Sequence, residues 1–103
     1  MFIYILNAQG TDLYKIGITT RTTSKRIKNL QTGNGNIIIE VYKHESEYAN
    51  VIEKMLHRHF SHLRNKGEWF NFSEISVEDV KKKLHSFEDI INNLENEQKK
   101  SID

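Results

Sequence analysis

The chain has 103 residues, 37% of them hydrophobic and 28% charged, with no cysteine and a formal net charge of +1. That length supports one modest core and not two, and the lack of cysteine excludes disulfides, thiolate zinc sites and cysteine nucleophiles. The opening apolar run is too short for a signal peptide or a membrane span, so an intracellular, cytoplasmic protein is expected.

Phe2, Ile3, Tyr4, Ile5 and Leu6 are β-branched or aromatic for the most part and are followed by the turn-prone Asn7, Gln9 and Gly10, which predicts a strand. Leu13 to Ile18 predict a second strand, paired with the first as an antiparallel hairpin. Gly17 lies inside that strand pattern, where it marks a place at which another group approaches the backbone closely. Thr22, Thr23 and Ser24 offer capping hydroxyls to a short helix running to about Gln31, with Ile27 and Leu30 on its buried side. After Gly33-Asn34-Gly35-Asn36, the run of Ile37, Ile38, Ile39, Val41 and Tyr42 predicts a third, central strand.

Ser46 is placed to cap a helix over about 47–61, with an apolar stripe of Tyr48, Ile52, Met55, Leu56 and His59 and with Val51 and Phe60 on its shoulders. Trp69, Phe70 and Phe72 form an aromatic cluster too large to leave in water. Ser76 and Asp79 have capping-box spacing, and Val80, Leu84, Phe87, Ile91 and Leu94 continue at helical period, with a frayed end from Asn93. The order describes an α+β domain built on a small three-stranded antiparallel sheet flanked by helices. Residues 1–75 form its core, and 76–103 add a C-terminal helix and acidic tail to the same domain.

Charge is unevenly spread. Residues 13–39 hold Lys15, Arg21, Lys25, Arg26 and Lys28 with no acid, whereas 74–103 carry eight acids against five lysines. A local basic stretch suits a phosphate-binding surface, and it equally describes a solvated helix face.

At 100° per residue Glu53 and His57 flank the apolar stripe centred on Ile52, four residues apart and able to touch. A flanking salt-bridge glutamate and a catalytic carboxylate both satisfy that geometry. Tyr4 and Tyr14 lie on neighbouring strands, where cross-strand packing is the ordinary role. A second constellation is His57, His59 and His62, with His44 and His85 elsewhere. His57 and His59 diverge by about 200° on a helix and do not close on one metal.

In sequence order, Phe2-Ile3-Tyr4-Ile5-Leu6, Leu13-Tyr14-Lys15-Ile16-Gly17-Ile18-Thr19, Arg26 with Leu30-Gln31-Thr32-Gly33-Asn34, then Glu53, Leu56, His57, Phe60, Arg64 and Gly67-Glu68-Trp69-Phe70 resemble the GIY-YIG nuclease superfamily. Within it they are most similar to the phage and viral branch often described as a DNA-binding domain. The likeness runs from Phe2 to Phe72. It implies a metal-dependent endonuclease that hydrolyses DNA phosphodiesters, working inside the host cell if phage or virus encoded, with Tyr4 as general base or its assistant. Arg26 would stabilise the developing phosphate charge, and Glu53 would hold one Mg²⁺ or Mn²⁺. His57 stands beside that acid, and Asn71 takes the place of a late family asparagine. Lys15 replaces the second motif tyrosine and, with Arg21, Lys25 and Lys28, would contact DNA.

Side chains alternate along a strand, so Lys15 shares the face of Gly17 and Tyr14 goes to the other. Two further functions remain open: an inactive DNA-binding module of the same fold, and a protein-interaction or regulatory role carried by the acidic C-terminal helix.

Overall fold

A computed structural model describes residues 1–20 and 37–102, with side chains as far as 97. The helix expected over about 22–31 lies outside the described residues. Strands β1 (Phe2–Ala8) and β2 (Leu13–Thr19) form the expected hairpin, with Tyr4 opposite Gly17 and Leu6 opposite Lys15. The Asn7 side chain, only 7% exposed, donates to the carbonyls of Thr11 and Leu13 at 3.1 and 3.0 Å. The hairpin connection therefore satisfies its polar groups from within.

Strand β3 (Ile38–Glu45) pairs with β1 but lies at the sheet edge, not at its centre. The isoleucine run that suggested a central strand in fact alternates: Ile38 is buried at 2%, while Ile37 and Ile39 are 60% and 38% exposed. The sheet is also wider than expected. Two three-residue strands, β4 (Arg64–Lys66) and β5 (Trp69–Asn71), extend it, giving among the described residues the order β3-β1-β2-β5-β4, antiparallel throughout. The aromatic segment is buried by pairing with β2, so that Trp69 stands opposite Lys15 and Phe70 opposite Tyr14.

Helix α1 (Ala49–His59) buries Ala49, Ile52 and Leu56 against one face of the sheet. Burying an Ile or Leu of this kind contributes about 1.5–3 kcal/mol. His59 is exposed, touching the rings of Phe60 and Phe87 from outside the stripe. Ser46 does not cap α1. Its hydroxyl accepts the Tyr48 N–H at 3.0 Å, shaping the turn that leads into the helix.

Helix α2 (Val77–Ile102) opens with the capping box read from the sequence, Asp79 N–H to Ser76 Oγ at 3.2 Å and Ser76 N–H to Asp79 Oδ2 at 3.0 Å. Val80 and Leu84 of α2 join Ile3, Ile5, Ile16, Ile52, Leu56, Phe60, Phe70 and Phe72 in the main core. A smaller apolar cluster, Tyr4, Leu6, Ala8 and Ile38 with Leu13 and Trp69, occupies the opposite face. The sequence thus forms an α+β fold whose sheet is apolar on both sides.

Candidate functional site

The site is organised along β2. Because strand residues alternate, Tyr14 turns to the main core and stacks on Phe72 at 5.2 Å, whereas Lys15 and Gly17 face the side of Tyr4. This is the division expected from the sequence. Gly17 has a physical reason to be glycine: a Cβ there would lie 2.3 Å from the Tyr4 hydroxyl oxygen and 2.5 Å from Cζ. The Tyr4 ring is fully buried and crosses the Gly17 backbone, so the phenol end is held against β2.

Lys15 is 9% exposed. Its ammonium lies 3.6 Å from Glu68 Oε2. Glu68 sits in the turn between β4 and β5, which Gly67 closes with a φ of +58° that favours glycine. Although 41% of the Glu68 side chain is accessible, Oε2 itself is buried and makes no hydrogen bond among the described residues. An ion-paired oxygen with no donor at hydrogen-bond distance is costly to bury.

Past Lys15, β5 no longer runs beside β2. There the Ile16 N–H donates to the Glu68 carbonyl at 3.3 Å, and His57 Nε2–H donates to the Ile16 carbonyl at 2.8 Å. The His57 ring also stands edge-on to Phe70 at 5.0 Å, with Arg64 Nη2 3.5 Å from Nδ1. His57 therefore fastens α1 to the β2 edge. One helical turn earlier, Glu53 is half-buried at the same edge. Loss of water by burial pushes its carboxyl above the usual range. The nearby His57 charge opposes this, the Glu68 carboxylate adds to it, and Lys54 and Lys15 oppose it.

Around residues 15–17 of β2, Tyr4 and Lys15 thus lie on one face of the strand, whereas His57 and Glu53 reach it from α1, which packs on the main-core face. Asn71 lies apart from them. It stands opposite Leu13, four residues along β2 from Gly17 and so roughly 13 Å away at strand spacing. Its Oδ1 accepts the Ser73 N–H at 2.9 Å, which makes it a turn residue in this structure. Arg21, Lys25, Arg26 and Lys28 lie outside the described residues. Sequence reasoning gave no role to Glu68, although it falls within the Gly67-Glu68-Trp69-Phe70 motif; only the β5–β2 pairing shows that it meets Lys15.

Glu68 pairs with the buried Lys15 ammonium, and Glu53 is near enough to feel both charges. Such a group can hold a cation, orient a phosphate against Lys15, or exchange a proton. Among the described residues no helix is long and apolar enough to cross a membrane. In comparison with known proteins, the model of the T5orf172 domain matches residues 1–87. No curated protein and no solved structure matches the chain.

Proposed function

Because this chain belongs to the T5orf172 domain family, which is linked to phage-type nuclease and DNA-binding proteins, we propose that it is a metal-dependent endonuclease of the GIY-YIG type that hydrolyses DNA phosphodiester bonds. The observation that carries this reading is the carboxylate pair at the edge of β2. A simple salt bridge to Lys15 needs one acid, Glu68, yet Glu53 also stands near enough to feel both charges, with its own charge disfavoured by burial, while Glu68 keeps an oxygen that lacks a hydrogen bond among the described residues.

That donor set fits a hard divalent cation such as Mg²⁺ or Mn²⁺, which prefers carboxylate oxygen. Glu53 would hold it, with Glu68 as the neighbouring oxygen donor. When bound, the ion supplies positive charge against the phosphate oxygens. Lys15, on the face of Tyr4 and Gly17, contributes a second positive charge that orients the phosphate from the other side of the strand edge. His57 acts as a positioning residue: its bond to the Ile16 carbonyl fixes the turn of α1 that carries Glu53. Tyr4 acts as the general base or assists it. It would take the proton of the attacking water only as phenolate, its own proton having first passed to solvent. Because its side chain is fully buried in the free protein, either role needs DNA binding to open that face. Arg26 stabilises the charge developing on the phosphate, as the family resemblance implies, and Lys25 and Lys28 grip the backbone.

The test is conversion of supercoiled plasmid to nicked or linear DNA by the purified chain with Mg²⁺ or Mn²⁺, and its loss in chelator. DNA retention without any cleavage under either metal identifies a binding module instead.

A further inference from the structure

Away from the β2 edge, three side chains with metal-ligand chemistry meet where α2 crosses β3. His44 projects from β3 on the face that α2 covers. His85 and Glu88 follow at i and i+3, one turn apart on α2 and therefore on one side of that helix. One ligand atom from each of the three lies within 4.8 Å of the others. His44 Nε2 is 3.0 and 3.2 Å from the two Glu88 oxygens, and the His44 and His85 rings meet edge to face at 4.9 Å. Around them stand the Tyr42 hydroxyl, 2.8 Å from His85 Nε2, and the Ser46 hydroxyl, hydrogen-bonded to Glu88. A latch between strand and helix needs only His44 and Glu88. It gives no reason for a second imidazole, His85, to stand within 4.8 Å of the same pair.

We propose that His44, His85 and Glu88 form a binding site for a zinc-class divalent ion, with water completing the coordination, and that the ion clamps the C-terminal helix to β3. Two imidazoles and one carboxylate are the donor set of three-ligand zinc sites, and nitrogen-rich donors select Zn²⁺, Co²⁺ or Ni²⁺ over Mg²⁺. Around a tetrahedral ion with bonds near 2.0–2.1 Å, ligand atoms stand about 3.3 Å apart. The His44–Glu88 pair already has that spacing, and His85, which is exposed, can close the remainder by side-chain rotation. Tyr42 and Ser46 fill the outer positions that orient metal ligands. Glu88 falls one residue beyond the span matched by the family model, so the complete triad is not contained in that match. The site shares no residue with the Glu53 site and stands or falls independently of it.

The test is titration of the full chain with Zn²⁺ by calorimetry and with Co²⁺ by visible absorption, each in parent, His85→Gln, Glu88→Gln, His62→Ala and Glu53→Gln chains. One equivalent should bind to the parent, His62→Ala and Glu53→Gln chains, with affinity lowered by at least about tenfold in His85→Gln and Glu88→Gln. Imidazole nitrogen NMR of the parent provides a check that needs no variant. Zn²⁺ should move the His44 and His85 nitrogens and leave those of His57, His59 and His62 in place. Absence of Zn²⁺ uptake, equal uptake by His85→Gln and parent, or shifts confined to other histidines would overturn the proposal.

Discussion

Adding one methyl group at Gly17 tests whether the Tyr4 hydroxyl is seated where the site requires it. In Gly17→Ala the new Cβ would lie 2.3 Å from the hydroxyl oxygen and 2.5 Å from Cζ, against 3.4 Å or more for ordinary contact. The ring must therefore move by about 1 Å. It has no exposed direction to move in, being fully buried with its own residue paired opposite residue 17. Overpacking of this kind costs about 1–3 kcal/mol, and in a domain of this size each kcal/mol lowers Tm by about 4–8 °C. A displacement of about 1 Å in a catalytic group costs on the order of 10²-fold in rate. Thermal unfolding followed by circular dichroism measures the first effect. Single-turnover cleavage, taken well below the lowered Tm, measures the second. Tyr4→Phe removes the nearest clashing atom but leaves Cζ at 2.5 Å, so the double variant should recover part, not all, of the lost stability. Parental Tm and parental cleavage in Gly17→Ala would refute the placement of Tyr4 on the backbone of β2.

Tyr4→Phe should abolish turnover while leaving the sheet intact, whereas Tyr14→Phe, whose ring keeps its stacking on Phe72, should cut at nearly the parental rate; the two variants are compared in one cleavage assay. Burial raises the folded-state pKa of Glu53, so the folded chain binds more protons there than the unfolded chain between the two pKa values, and Glu53 costs stability increasingly as pH rises through that window. Glu53→Gln should accordingly be at least as stable as the parent at neutral pH, with its advantage vanishing below about pH 4, where the carboxyl is protonated in both states; Tm against pH for the two chains decides this. Removing the charge of Lys25 or Lys28 should weaken DNA binding about equally across sequences and flatten the log–log salt dependence by about one unit per contact, read by fluorescence anisotropy over a salt series.

What the sequence made legible was local. The β-branched runs at Phe2–Leu6 and Leu13–Ile18 announced the hairpin, and strand alternation alone separated Lys15 from Tyr14. Gly17 announced a close approach, and Ser76 with Asp79 announced the start of α2. Pairings between distant segments stayed hidden. β4 and β5 have three residues each, too few to show alternation, and β5 finds its partner in β2, more than fifty residues earlier. For the same reason Glu68 gave no sign that it meets Lys15. His44 and His85 are 41 positions apart, so their approach through the packing of α2 on β3 has no counterpart in local spacing. The edge position of β3 was obscured by its isoleucines, which read as one continuous buried run although only Ile38 is covered.

The central claim, that Glu53 serves chemistry and not merely structure, is tested most directly by single-turnover cleavage of a short DNA duplex under saturating protein and Mg²⁺. Parent and Glu53→Gln chains are compared after both have been shown to fold and to bind the duplex. Glu53→Gln should bind at least as tightly as the parent and cut more slowly by about 10²-fold or more, as expected when a group that acts in the transition state is removed. Equal cleavage rates in the two bound complexes would contradict the account and leave Glu53 as a structural carboxylate at the edge of β2.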